Sequence, residues 1–280
     1  MIKRVYICVI LTCFGIHADA QYFAHKTFRD TRVVNGHSVE TNNEGVAKFI
    51  ISHRFGVINS GLSELFGLDQ ATIRIGMDYG IKDWATIGLG RSSFEKTLDG
   101  YAKVRFKRQS SGEMNFPLTL TGLGSIALNT LPFQNPSREN YFTSRLTFTS
   151  QFLIARKFSD DLSIQIMPTL VHRNLVSTLK ESNDVFSCGA AFRYQLNRSW
   201  ALSGEYYYVL PDQLAEGRYN AAALGFEVET RGHVFQFQLG NSLGMIEKFF
   251  VTETLADISK GDIHFGFNIT RDFKLKGRKY

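Results

Sequence analysis

The sequence predicts an all-β protein: a closed, antiparallel, up-and-down transmembrane β-barrel of about twelve strands, with one or two short helices between strands. Three observations carry this expectation. From about Ala47 onward, segments near ten residues long alternate apolar and polar side chains, which is the period of a strand, whose successive side chains point to opposite faces. The breaks between segments are by turns short and long, the asymmetry of a barrel with tight turns in the periplasm and loops outside. The first twenty residues read as an export signal, and no later apolar run nears the roughly 18 residues of a membrane-crossing helix.

The elements follow in order. Lys3 and Arg4 precede an apolar run from Val5 to Ile16 and the small residues of Ala18-Asp19-Ala20, so residues 1–20 are expected to be a signal peptide and the mature chain to begin at Gln21. Acylation at Cys13 is the alternative; Thr12 and the short apolar run before it suit that poorly. Residues 21–45 are polar and rich in Asn, Thr and Arg, an N-terminal arm expected to be extended or partly disordered. The barrel is expected over residues 46–280. Strand-like segments centre near residues 51, 75, 88, 104, 122, 148, 167, 190, 205, 224, 238 and 267.

Individual segments show the pattern clearly. Ala71, Ile73, Ile75, Met77 and Tyr79 share one parity, against Thr72, Arg74, Gly76, Asp78 and Gly80. Ala102, Val104 and Phe106 oppose Lys103, Arg105 and Lys107, and Phe265, Phe267 and Ile269 oppose His264, Asn268 and Thr270. Tight turns are expected at Lys82-Asp83, Ser159-Asp160-Asp161, Asn197-Arg198-Ser199 and Thr230-Arg231-Gly232, with longer joints over 108–116, 129–140, 173–184 and 210–219. Asn59 to Leu68 and Leu243 to Glu253 have helical apolar spacing and are expected to cap or plug one end.

Alternation also suits a soluble sandwich or ligand-binding barrel. Three features favour the membrane. The polar parity is rich in Gly, Thr, Ser and Gln beside Arg and Glu, as a hydrated lumen would be. Aromatics gather at segment ends, among them Tyr79, Trp84, Tyr101, Tyr141, Trp200, Tyr206, Tyr207, Tyr208 and Tyr219, where interfacial girdles place them. Twelve strands are many for one soluble barrel, whereas closure is obligatory in lipid, where an open edge leaves unpaired backbone groups.

Residues 53–109 then add a likeness. Glu64-Leu65-Phe66-Gly67-Leu68-Asp69, Gly88-Leu89-Gly90-Arg91, Phe94-Glu95-Lys96 and Asp99-Gly100 are its most specific pieces. On these the chain resembles an uncharacterised β-barrel family of Bacteroidota, usually described as outer-membrane proteins of unknown function, from about residue 45 to the C-terminus. The resemblance implies fold and location and carries no functional residue. One departure is the tail Lys274 to Tyr280: an insertion signal usually ends the last strand in an aromatic, so Phe273 or Tyr280 must serve.

Composition excludes other classes. The 280 residues carry 44% apolar side chains, 24 Gly and only 5 Pro, which rules out disorder and collagen. With Cys8 and Cys13 in the signal, Cys188 has no internal partner for a disulfide. The net charge of +6 is not clustered, so no nucleic-acid partner is expected. Seven scattered histidines lack metal-ligand spacing, and Gly88-Leu89-Gly90 and Gly122-Leu123-Gly124 lack the helix and lysine of a phosphate loop. No His-x-Ser pair of the phospholipase type occurs. The expectation is therefore a barrel without catalytic residues or cofactor.

The polar parity supplies the candidate lumen residues. Arg74, Asp78, Lys103, Arg105, Lys107, Arg145, Glu205, Glu227 and Gln236 are expected inside or at the rims, with Gln151, Gln165, Arg193, Glu229 and Gln238 beside them. Buried charges must be paired or hydrated. One reading is a passive pore or small-solute transporter in the outer membrane of a Gram-negative cell, its wall attracting anions. Another is a salt-bridged closed interior, a structural barrel that docks a partner through its loops and arm. A lipid-active enzyme is a third. The expected partners are outer-membrane lipid and a small solute or ion.

Overall fold

The computed structural model describes residues 22–275, apart from positions 25, 134, 138, 177, 179, 180 and 231. The expected signal peptide and the terminal aromatic Tyr280 lie outside the described residues. Twelve antiparallel strands close into one barrel: β1 (Val46–Val57), β2 (Ala71–Lys82), β3 (Ala85–Ser92), β4 (Leu98–Lys107), β5 (Thr119–Leu128), β6 (Leu146–Lys157), β7 (Leu162–Arg173), β8 (Asp184–Gln195), β9 (Trp200–Val209), β10 (Ala221–Glu229), β11 (His233–Gly240) and β12 (His264–Lys274). Each strand contains one of the expected centres. Every strand pairs with its neighbours in sequence, and β12 closes on β1 from Lys274↔Val46 to His264↔Val57. The closure leaves the barrel wall no free edge. No helix among the described residues is long and apolar enough to cross a membrane.

The end that carries Val46 and Lys274 also carries the tight turns after β2, β6, β8 and β10; it is the inner end below, and the periplasmic one by the usual rule for such barrels. The outer end carries residues 58–70, 93–97, 129–145, 174–183, 210–220 and 241–263. One long joint breaks the expected asymmetry. Residues 108–118 join β4 to β5 at the inner end, where Ser110 and Ser111 pair with Phe23 and Tyr22 of the arm in a separate two-stranded sheet. The number of crossings before a loop sets its side, whatever its length.

Side chains divide as the alternation requires. Ile73, Ile75, Met77, Leu89, Phe152 and Phe237 face outward and are exposed, while Arg74, Asp78, Gln151 and Gln238 face inward and are buried. Aromatics mark both rims: Trp84, Phe158 and Trp200 at the inner end, Phe66, Tyr141 and Phe142 at the outer. Two of the expected girdle residues belong elsewhere. Tyr101 and Tyr207 are buried inside, because they share the inward parity of Lys103 and Glu205.

The lumen is filled, and by the segment expected to be loose. Residues 27–42 enter from the inner end, turn at Val33–Gly36, and return to start β1. The turn is closed by Val33 N–H to the Gly36 carbonyl (2.8 Å) and Ser38 N–H to the Thr31 carbonyl (3.0 Å). Phe28, Val33, Val34 and Val39 are each at most 1% exposed, so the arm is an inserted hairpin, not an extended or partly disordered lead. Burial of each such side chain contributes about 1.5–3 kcal/mol, which offsets the ordering of a polar segment.

From the outer end a second element enters. Residues 241–256 fold inward around a short helix, α1 (Glu247–Thr252), all six residues of which are buried. Phe250 packs against Tyr207 with ring centroids 4.8 Å apart, and Phe249 against Phe94 at the same distance. Phe250, Val251 and the arm valines form one apolar cluster with Leu153, Met167, Val171, Val185 and Val209. The apolar groups of the inner wall thus gather on β6–β9, beside polar ones such as Gln151, Gln165 and Glu205, and the wall is polar across β11–β5. The other helical stretch behaves differently. Residues 58–60 and 62–67 form 3₁₀ turns at the outer rim with Leu62, Leu65 and Phe66 exposed, so they cap an edge and do not plug the lumen.

Candidate functional site: the arm and its wall

Backbone groups removed from water need partners, and the buried arm finds them in wall side chains. Glu205 on β9 accepts from the N–H groups of Val34 (3.2 Å), Asn35 (2.8 Å) and Gly36 (3.1 Å). Gln165 on β7 accepts from Val39 N–H and donates to the His37 carbonyl, both at 2.8 Å, as an edge strand would. Gln236 donates to the Val33 carbonyl (2.5 Å), Asn268 to that of Val34 (2.9 Å) and Thr121 to that of Val39 (2.9 Å). Lys103 Nζ reaches the carbonyls of Thr31 and Ser38, each at 3.1 Å.

Side-chain pairs complete the seam. Asp78 accepts from Thr31 Oγ1 at 3.2 Å, and Arg54 donates to Asn35 Oδ1 at 2.8 Å and Asn268 Oδ1 at 3.0 Å. At the inner end Lys48 bridges Asp30 of the arm and Asp272 of β12, each at 2.7 Å, while Arg29 pairs with Glu229 and Thr270 donates to Asp30. Burial pushes the Asp30 carboxyl up, but the Lys48 ammonium and the hydrogen bonds from Lys48, Thr270 and Thr31 outweigh it and hold it at about 2. The clamp is thus a charged pair at neutral pH.

His37 marks where arm and α1 meet. Its Nε2 lies 3.8 Å from Glu247 Oε1, its ring stands edge-on to Tyr101 at 4.4 Å, and Nδ1 has no hydrogen-bond partner. Burial, then the charges of Arg32, Lys103 and Arg74, hold its pKa well below the usual histidine value. Burial raises the Glu247 carboxyl in turn. Gaps beside the arm tip hold about 10 Å³ near His37 and about 20 Å³ near Gln236, room for about one water each, while a cavity of about 180 Å³ opens at the inner mouth among Lys26, Asp30, Glu40, Asn42, Lys48 and Asp272. The lumen is closed along the arm.

The structure places the expected lumen residues as follows. Arg74, Asp78, Lys103, Glu205, Glu227 and Gln236 face inward and are buried. Arg74 is tied to Asp99 (Nε–Oδ1 2.9 Å) and Arg193 to Glu227 (2.8 Å), while Arg105 faces Glu40 of the arm at 3.6 Å. The basic wall is therefore neutralised by carboxylates and carbonyls. Lys107 is corrected: the pairing shifts between Arg105 and Lys107, so Lys107 sits opposite Leu120 with its ammonium 5.5 Å from the Phe116 ring, exposed at the inner rim. A bulge adds one residue and reverses the parity beyond it. Arg145 lies at the outer mouth, bonded to the carbonyls of Asn129 and Leu131.

Sequence reasoning missed Arg54 and Asp99, although both share the inward parity of their strands, and it set Asn268 on the polar face of β12 without naming it a lumen residue. It missed Asp30, Glu40 and Glu247 because they lie outside the strands, where no period assigns a face. Among the described residues no three His, Cys, Asp or Glu side chains converge as a metal set.

A closed barrel with an apolar outer band, aromatic rims and a polar inner wall defines a membrane-embedded β-barrel. Residues 28–273 match the family model of the membrane bound beta barrel domain (DUF5777), and the chain belongs to that family. The match includes most of the arm as well as the strands. No curated protein matches the chain. Among solved structures, the NanC porin is similar at 10% identity over 82% of this chain and 100% of its own, TM-score 0.48. The KdgM porin is similar at 7% over 81% and 99%, TM-score 0.49. The toluene transporter TbuX of Ralstonia pickettii is similar at 9% over 84% and 90%, TM-score 0.37.

Proposed function

We propose that this chain is an outer-membrane channel for a small solute, exported by the signal at residues 1–20, whose passage is closed by its own N-terminal arm. One observation carries the reading: the arm is held through its backbone by wall side chains rather than by strand pairing with the wall. Glu205, Gln165, Gln236, Asn268 and Lys103 are groups that water serves equally well once the arm leaves. Arg74, Asp78, Lys103, Arg105, Glu205, Glu227 and Gln236 would then line the vacated passage, and Arg145 its outer mouth. An interior meant only to be a core would have no use for so many charges, since apolar residues of similar volume stabilise as well or better.

The filled lumen also favours a second reading, a closed barrel that docks a partner. One experiment separates the two: single-channel conductance in planar bilayers of the mature chain and of a variant lacking residues 22–43, each shown to be folded by heat-modifiable migration. A channel gives rare openings in the intact chain and stable steps in the deletion. A folded deletion variant that conducts nothing even when residues 243–255 of the outer plug are also removed sinks the channel and leaves the docking barrel.

A further inference from the structure

At the outer end a cavity of about 320 Å³ opens among Glu95, Asn129, Phe133, Arg145, Arg173 and Lys248. That volume suits a solute of one ring or a short chain. Among the described residues three cations line it, and they are not equivalent. Lys248 is neutralised by Glu95 (2.6 Å) and Glu253 (3.0 Å). Arg173, its side chain 8% exposed, binds Glu181 at 3.1 Å and the Ser182 carbonyl at 2.7 Å, yet its Nε–H is buried with no acceptor. Arg145 has no carboxylate partner among the described residues: it donates to two carbonyls and lies 3.8 Å over the Phe133 ring.

A buried donor left unpaired costs about 1–3 kcal/mol, and a guanidinium without an anion is the matching deficit of charge. An incoming carboxylate supplies the anion that Arg145 lacks, because planar N–H forks match carboxylate oxygens, and the Arg173 Nε–H shares it once that side chain turns towards the cavity. In the same lining Glu95 and Glu253 carry oxygens that accept hydroxyl hydrogens, and Leu175 and Pro132 add apolar surface. We propose that this cavity binds a small solute carrying a single carboxylate on a hydroxylated carbon skeleton. The carboxylate lies against Arg145 and Arg173 and the hydroxyls point towards Glu95 and Glu253. A dianion is disfavoured, since it would meet those two carboxylates at close range.

The test is calorimetric titration of the refolded mature chain in detergent with sodium D-glucuronate, using D-glucose as the uncharged control. Saturable glucuronate binding in the millimolar range or tighter is expected, with glucose roughly tenfold weaker. Arg145→Gln is expected to weaken glucuronate by about the same factor. Because Arg173 also anchors its loop to Glu181, Arg173→Lys keeps that ion pair while deleting the Nε–H, and it too is expected to bind glucuronate more weakly. Absence of saturable glucuronate binding, equal affinity for glucose, or wild-type affinity in both variants would overturn the assignment. The titration needs no current. A barrel that binds but never conducts sinks the channel alone, and one that conducts without binding sinks only this site.

Discussion

Glu205 holds Gly36 by its backbone N–H at 3.1 Å, and with the same carboxylate it also holds the two residues before it. One wall side chain thus fixes the tip of the inserted arm, three donors on two oxygens. Hydrogen bonds to a charged group contribute about 1.5–3 kcal/mol each. Replacing Glu205 by Gln puts an NH₂ group against N–H donors, and the arm is expected to loosen by several-fold to a hundredfold in its docked population. Protease cleavage within residues 27–42 of the folded barrel measures it. Cleavage at the wild-type rate in Glu205→Gln would show that the tip is held by packing alone.

Steric closeness makes a second prediction at the same tip. A Cβ added at Gly36 would stand 2.0 Å from the Tyr207 hydroxyl, closer than atoms approach. Gly36→Ala is expected to expose the arm to protease as Glu205→Gln does. Removing the hydroxyl in Gly36→Ala/Tyr207→Phe is expected to restore much of the protection. No rescue would mean that the arm tip fails for a reason other than this contact.

Acid should release the arm through His37. Its pKa in the docked arm lies well below the usual value of 6.5, by burial and by Arg32, Lys103 and Arg74. The undocked arm therefore binds a proton that the docked arm does not, and docking weakens as pH falls below about 6.5. Glu247, raised by burial, works in the opposite sense over part of that range. The histidine contribution is isolated by comparing wild type with His37→Gln: channel openings or cleavage should rise from pH 7.5 to pH 5 in the former and stay flat or fall in the latter. A parallel rise in both assigns the pH response elsewhere.

Phe250 is the deepest side chain of α1, fully buried against Tyr207. Truncation to Ala removes a large buried ring, a loss of about 3–5 kcal/mol in well-packed interiors. The expected result is an α1 segment that exchanges its amide hydrogens within minutes while the strands stay protected. Unchanged exchange in residues 247–252 would show that polar contacts such as Lys248 with Glu95 suffice to hold it.

Strands were legible because a wall with lipid on one side and polar groups on the other must alternate, and Ile73, Ile75 and Met77 against Arg74, Gly76 and Asp78 say so directly. Parity failed where an extra residue entered, as at Lys107, since a bulge leaves no mark in composition. The inserted arm was harder. Its polar character looks like solvent exposure, but its partners lie in distant strands, Glu205 some 170 positions away. The signal that was present is Val33-Val34 followed by Asn35-Gly36, apolar residues flanking a turn pair, with Val39 beyond. That pattern marks a hairpin, and a hairpin outside the sheet of a barrel has only the interior in which to bury its valines.

The arm enters and leaves by the same end, with Tyr22–Phe23 on the 110–111 segment and Gly45 beside Gly80. It is folded back on itself and nowhere threaded. A threaded segment would have to be trapped before β12 met β1, tying the order of assembly to the position of the plug. Here the wall can zip shut first and the hairpin slide in afterwards, or slide out again, with no strand pair of the wall broken at any stage. Topologically the bolt and the door are separate parts of one chain.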